Sequence, residues 1–395
     1  MERSEGRFLT THAGSLPKPE SLTALYSRRA RGEAVDARSI AALTESATAE
    51  VVAQQIAFGL DVINNGEVGR DSFVTYLQHR MSGFGGQSQR KAMADLTRYP
   101  GYLERLGQMR GTGENVSLLR APQALAAVRY LGTQAIEQEC EQLARLLAPH
   151  AGRFREAFVS SPSPGIVAAA MQNAFYDDLE SYVDALADQL AIEYRAIVAS
   201  GFLLQIDAPD LALERHTLFQ DRPLADFLAF ARVVIAAINR ALATIPPERV
   251  RLHVCWGNYE GPHDSDVPLA DIWPVLEQVR AHALLLSMAN PRHCHEHRWF
   301  ERGCLPPNVL LIPGVIDTTT NYIEHPEAVA DRLERIAAAV GDPTRIIAGT
   351  DCGLETSAGN SMLTAPIAWA KLRALTEGAA IASQRVFGAS RPVHE

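Results

Sequence analysis

The residues of this 395-residue chain best suited to chemistry are His253 and Cys255, two apart at the end of a β-type run that begins near Val250. A second cysteine, Cys352, closes another such run in Ile346-Ile347-Ala348-Gly349-Thr350-Asp351-Cys352. Alternate residues of a strand share a face, so His253 and Cys255 project together. A neutral imidazole and two thiolates are ligands that zinc prefers, at roughly 2.0–2.3 Å. Three protein ligands with one open position is the composition of a catalytic zinc site rather than a structural one. A His-x-Cys pair alone is also compatible with a buried cysteine acting as a small hydrophobe, so the reading depends on the scaffold around it.

Eight short β-rich runs recur, at 8–13, 61–65, 157–161, 203–207, 250–255, 283–287, 309–316 and 345–351. Segments of helical period separate them. Within 177–200, Leu179, Tyr182, Val183, Leu186, Leu190 and Ile197 fall near a 3.6-residue repeat, and Gly201 follows as a terminator. Residues 324–340 carry Pro326 near the first turn and end at Gly341. Strands alternating with helices predict an α/β fold, a single (β/α)8 TIM barrel over 1–395, with a doubly wound open sheet as the alternative. The interval between the second and third strands is too long for one helix. Residues 72–150 are therefore expected to form an insertion, with Gly83-Phe84-Gly85-Gly86 as loop punctuation. Active-site groups of such a barrel lie at the C-terminal strand ends. Those ends read Ser15, Glu67, Ser161/Ser163, Asp207, His253/Cys255, Ser287, Asp317 and Cys352, polar, acidic or metal-capable at nearly every position.

The composition, 47% hydrophobic and 21% charged, is that of a globular protein with ample core. A net charge of −9 with scattered arginines argues against nucleic-acid or anionic-membrane partners. The first residues, MERSEGRFLTTHAG, lack the apolar core of a signal peptide, and 227–245 is broken by Arg232, Asn239 and Arg240. Five cysteines in so long a chain make no disulfide framework, so a reducing cytoplasm is the expected location. Small molecules are the expected partners, with homo-oligomerisation left open.

Five ordered motifs on these strands resemble the catalytic barrel of the cobalamin-independent methionine synthase superfamily. Thr10-Thr11-His12-Ala13-Gly14-Ser15-Leu16-Pro17 resembles its opening T-x-x-G-S-x-P, and Asp61-Val62-Ile63-Asn64-Asn65-Gly66-Glu67 its D-V-x-x-x-G-E. Leu204-Gln205-Ile206-Asp207-Ala208-Pro209 resembles x-Q-I-D-E-P; His253-x-Cys255 and Asp351-Cys352-Gly353-Leu354 resemble the two zinc-ligand motifs. The segments His253-Val254-Cys255-Trp256-Gly257-Asn258, Ala289-Asn290-Pro291-Arg292-His293 and Gly314-Val315-Ile316-Asp317 are similar to a shorter, single-barrel branch. That branch is itself similar to archaeal-type methionine synthases and to epoxyalkane:coenzyme M transferases. The resemblance implies Zn2+ on His253, Cys255 and Cys352, and a thiol substrate activated as a zinc-bound thiolate toward a methyl or alkyl donor. A free thiol has a pKa of about 8.5 and is mostly protonated at neutral pH; zinc coordination deprotonates it while leaving it nucleophilic. The resemblance further implies that Glu67 and Asp207 hold a substrate ammonium and Ser15 its carboxylate. By the same resemblance Asn258 and Ser287 would fall in the substrate pocket, and Asp317 and Thr319 at the catalytic positions.

The pattern departs from the family at two places. Ser287 stands where methionine synthases supply a glutamate ligand, and a neutral hydroxyl is a poor zinc ligand. The nearby His293-Cys294-His295-Glu296-His297 tract and Cys304 could substitute, although such a tract at a helix start is more often a solvated surface. Thr319 stands where methionine synthases have a histidine, and Ala208 where they have an acid, which puts homocysteine and methyl-folate in doubt. Alternatives are an epoxyalkane:thiol transferase, a lyase or decarboxylase on the same barrel (as in uroporphyrinogen decarboxylase, which works without metal), and a metal-binding protein without catalysis.

Overall fold

A computed structural model describes residues 1–110, 116, 121–361 and 363–388 of the chain. Eight strands form one parallel sheet: β1 (Leu9–Thr10), β2 (Val62–Ile63), β3 (Glu156–Pro162), β4 (Leu203–Asp207), β5 (Val250–Val254), β6 (Ala283–Leu286), β7 (Leu310–Ile316) and β8 (Ile347–Thr350). From β2 onward each strand pairs with its successor, and β8 returns to β1 with Leu9 opposite Ile347. The seam between β1 and β2 is carried by Asp61 and Thr11. The Asp61 amide donates to the Thr10 carbonyl (3.1 Å), its carboxylate accepts from the Thr10 amide (2.9 Å), and the Thr11 hydroxyl donates to the Val62 carbonyl (2.9 Å). With helices following the strands, this is the expected (β/α)8 barrel.

Strand residues are buried on both faces, as a sheet wrapped by helices requires. Leu9, Ala283, Leu285, Leu310, Ile312 and Ile347 pack together on the inner face, while Leu284, Leu286, Leu311 and Ala348 join the core shared with the helices. The same alternation turns Gln205, Asp207, Arg251 and His253 inward. The helix Leu179–Ala199 begins at Asp178, whose carboxylate accepts from the Ser181 amide at 2.7 Å, and buries Tyr182, Val183, Leu186, Leu190 and Ile197. Truncating Leu186 to alanine there is expected to cost about 2–5 kcal/mol. The helix Pro326–Val340 runs between a His325 cap and Gly341. Glu324, expected at its start, instead pairs with the buried Lys371 ammonium at 3.0 Å.

Between β2 and β3 lie an antiparallel ribbon, Met81–Gly85 with Gln123–Tyr130, and the helices Ala94–Arg98, Pro100–Arg110 and Gln134–Leu147. Gly83, Phe84 and Gly85, expected as a loop, thus belong to a strand. The register shifts between Ser82 and Phe84, and a Cβ on Gly83 would sit 2.8 Å from the Ala126 and Ala127 carbonyl oxygens. Glycine marks a close approach of two backbones here rather than a turn. Among the described residues no helix is long and apolar enough to cross a membrane.

Candidate functional site

β5 and β8 are separated in the sheet by β6 and β7, so His253 and Cys255 meet Cys352 only across the barrel mouth. The three side chains are buried, and one ligand atom from each lies within 4.8 Å of the others. The two sulfurs are 3.7 Å apart and unbonded. Two sulfurs each about 2.3 Å from a tetrahedral zinc would lie about 3.8 Å apart, so the donor set and its spacing fit that ion. Among the described residues this is the group of histidine, cysteine and carboxylate side chains with such convergence.

His253 is held on both sides. Its Nδ1 lies 2.9 Å from Asp207 Oδ1, and its Nε2 3.3 Å from the Asp351 carbonyl. A ligating histidine ordinarily sets its free nitrogen against a carboxylate in this way, which turns the other toward the metal. Burial works against charge on the ring, but Asp207 and Cys255 outweigh it and raise its pKa to about 10. The Cys352 thiol and then His253 hold Cys255 well below the usual thiol range, while Cys255 and burial push Cys352 well above it. Metal binding here must displace protons, so affinity is expected to rise with pH.

Ser287 follows β6, and its hydroxyl donates to the Asp351 carbonyl at 2.8 Å. The Asp351 carboxylate accepts the amides of Met288 (2.8 Å), Ala289 (2.8 Å) and Asn290 (2.9 Å), locking the β6 loop against the residue before Cys352. Burial pushes that carboxyl up to about 6 against the pull of these amides. The alternative ligands behind Ser287 point elsewhere. Far from being solvated, His293 is 3% exposed, with Nδ1 2.9 Å from Glu296 and Nε2 2.8 Å from Asp266. Cys294 and His295 are exposed, and Cys304 contacts the Trp299 carbonyl.

Glu67 and Ser15 lie on the loops after β2 and β1. Glu67 adopts φ 54°, rare for a side chain of its kind, with its amide held by Asn65 Oδ1 at 3.0 Å. The Ser160 hydroxyl donates to Glu67 Oε1 at 2.6 Å. Burial, and then the charge of Asp207, raise the Glu67 carboxyl to about 7. The Ser15 hydroxyl is buried with no hydrogen-bond partner among the described residues. Two motif glycines permit this packing: a Cβ on Gly14 would collide with Glu67 Oε1, and one on Gly353 with Ser15 Oγ. Asn258 Nδ2 donates to the Gly353 carbonyl (2.9 Å), and Asn258 Oδ1 accepts from the Thr318 hydroxyl (3.1 Å). Asp317 is buried and accepts from the Thr319 amide (2.9 Å) and hydroxyl (2.8 Å), and from Thr320 and Tyr322 (3.1 Å each).

Sequence reasoning left Gln205, Arg251, Ser160 and Asp351 without roles. Gln205 and Arg251 carried a usable signal, because each is a polar residue two positions before a site residue on a buried strand. The contacts of Ser160 and Asp351 depend on neighbouring strands and had none.

Residues 8–101 match the family model described as the catalytic domain of cobalamin-independent synthase. The chain is 22% identical over 378 residues to the methionine synthase of Sulfurisphaera tokodaii, covering 95% of this chain and 93% of that one. It is 25% identical over 408 residues to the 2-hydroxypropyl-CoM lyase of Xanthobacter autotrophicus, covering 94% of each. Its fold superposes with a TM-score of 0.72 on a B12-independent methionine synthase from a Shewanella species in complex with selenomethionine. That pair is 21% identical, with 97% of this chain and 100% of the other covered.

Proposed function

From the premise that this chain is a distant relative of the cobalamin-independent methionine synthases, we propose that it is a cytoplasmic, zinc-dependent transferase. Its reaction would transfer a methyl or alkyl group to the sulfur of a small thiol. The observation that carries the reading is the buried convergence of His253, Cys255 and Cys352, with ligand atoms within 4.8 Å of one another and three donors rather than four. Zinc held there would lower the pKa of a substrate thiol bound in its open position and keep the sulfur nucleophilic at neutral pH.

The chain's own residues then bind and orient. Glu67 receives a substrate ammonium, with Asp207 beside it, and the unpartnered Ser15 hydroxyl meets a substrate carboxylate. Glu67 must be ionised for this, so binding of an amino-acid thiol should strengthen as pH rises through about 7. Asn258 and Ser287 line the approach to the sulfur. Asp317 gathers Thr319, Thr320 and Tyr322 on the donor side, and the Thr319 hydroxyl is directed to that carboxylate. The substrate thiol loses its proton, its sulfur bonds to the donor carbon, and the leaving atom departs with the bonding pair. We read 72–150 as an insertion that covers the β5 loop, because Tyr259 donates to its Asp95 (2.5 Å) and its Tyr102 donates to the Glu260 carbonyl (2.6 Å).

A second reading, thiol addition to an epoxide, is favoured by the Xanthobacter relative and by Ser287 and Thr319 in place of the methionine synthase residues. Elemental analysis of protein purified without chelator tests the shared premise: about one zinc per chain is expected, and below about 0.2 after supplementation the premise fails. Assays of homocysteine and of simpler alkyl thiols against methyl donors and short epoxides then separate the two readings.

A further inference from the structure

We propose that Arg251 is a positioning residue for His253, acting through Gln205 and Asp207 so that the ring presents Nε2 toward Cys255 and Cys352. The proposal rests on the reading of those residues as a zinc site.

The register of β4 against β5 places Gln205 opposite Arg251 and Asp207 opposite His253. All four residues occupy inward positions, two above two. Arg251 Nε donates to Gln205 Oε1 at 2.7 Å. Gln205 Nε2 donates to Asp207 Oδ1 at 2.7 Å and to the Ala13 carbonyl at 2.6 Å. The same Asp207 oxygen meets His253 Nδ1 at 2.9 Å. A guanidinium only donates and a carboxylate or carbonyl only accepts, so one orientation of the Gln205 amide satisfies every partner. In that orientation Asp207 is left as an acceptor for Nδ1–H, so Nε2, which lies 3.3 Å from the Asp351 carbonyl, is the nitrogen that gives up its proton when a metal binds. Reversing the amide would set its NH2 against Arg251 and its oxygen against Asp207.

Arg251 is itself fixed. It is fully buried, its terminal nitrogens donate to the Thr11 hydroxyl (3.0 Å) and the His12 carbonyl (2.5 Å), and its guanidinium lies 3.9 Å from the Phe158 ring centre. A cation in a barrel interior is costly, and the inner face below it is packed with leucine, isoleucine and valine. An aliphatic side chain would fill the same layer but could not choose the face of Gln205.

The test is Co2+ affinity, by competition with a chromogenic chelator, together with thermal melts. It compares wild type, Gln205→Met, Arg251→Met, the double variant and Cys255→Ser. Residues behind a metal ligand typically contribute 10–100-fold in affinity. Gln205→Met should lose about that much and Arg251→Met about tenfold. The double variant should bind no more weakly than Gln205→Met, because Arg251 acts through that amide. Unchanged affinity in Gln205→Met, or losses that multiply in the double variant, overturn the proposal. If Arg251→Met does not fold, Gln205→Glu decides, since it keeps an acceptor for Arg251 but has no donor for Asp207. About tenfold weaker binding with a normal melt supports the relay, and unchanged binding overturns it. Failure of wild type to bind Co2+, or full binding by Cys255→Ser, overturns the zinc-site reading itself.

Discussion

The His253 site and a cluster of three histidines in the loops after β4, β5 and β6 differ in where their donor atoms point. In the first, Asp207 meets Nδ1 of His253, and a ring nitrogen of His253 lies within 4.8 Å of two sulfurs. In the second, the histidines surround an anion: Asp266 meets His263 Nδ1 at 3.0 Å, His293 Nε2 at 2.8 Å and His216 Nδ1 at 3.4 Å. Glu296 takes the remaining nitrogen of His293, whose ring stacks on Trp256 at 4.0 Å. Burial opposes charge on these groups, but His263 and His293 draw Asp266 down to about 2, and Asp266 and Glu296 lift His293 to about 9. The second cluster is richer in histidine, yet its charged groups pair with one another, and among the described residues the convergent metal-capable group is the first. In the second cluster the ring nitrogens of His263 and His293 are taken by carboxylates and a carbonyl from several sides, whereas in the first a ring nitrogen and two sulfurs gather within 4.8 Å of one another.

The sharpest way to break this contrast is to remove the sulfurs. Cys255→Ser and Cys352→Ser are each expected to abolish metal binding and thiol alkylation, with melting temperatures within several degrees of wild type, because stability resides in the barrel layers below. Collapse of the fold would make the metal structural. Next in size, Asp266→Asn should leave metal content unchanged while destabilising the fold by about 3 kcal/mol, since buried histidines lose their counter-charge. Denaturant titration with metal analysis checks both halves, and loss of metal would show the clusters to be one unit.

A smaller effect is expected from Ser287→Glu, which adds an anionic donor beside the first cluster at the cost of the hydroxyl's bond to Asp351. Zinc should be held more tightly and turnover should fall, as read by chelator competition beside an activity assay. Unchanged affinity would mean that the new carboxylate does not reach the ligands. The smallest effect is on the pH profile of stability. Asp266 contributes above its ordinary 3.8 and loses that contribution as pH falls toward about 2. His293 contributes below 6.5 and loses it as pH rises through about 9. The network is therefore at full strength between about pH 4 and 6.5, and both limbs should flatten in Asp266→Asn. Unaltered limbs would move the charge network elsewhere.

What the amino-acid sequence determined by itself was local. Period-two alternation put His253 and Cys255 on one side of a strand. The 3.6-residue repeat and its flanking Gly201, Pro326 and Gly341 located two of the helices. Such signals are carried within a few residues by backbone geometry, so a single chain displays them. Tertiary structure decided the rest. Barrel closure brings Cys352 to Cys255 across 97 residues, and strand register sets Asp207 against His253 and Gln205 against Arg251. The Met288–Asn290 amides hold the Asp351 carboxylate, and the β5 loop brings Asp266 against the buried His293 in a tract that reads as polar surface. Which acceptor a ring nitrogen faces depends on strands and loops distant in sequence, and no local period encodes that pairing.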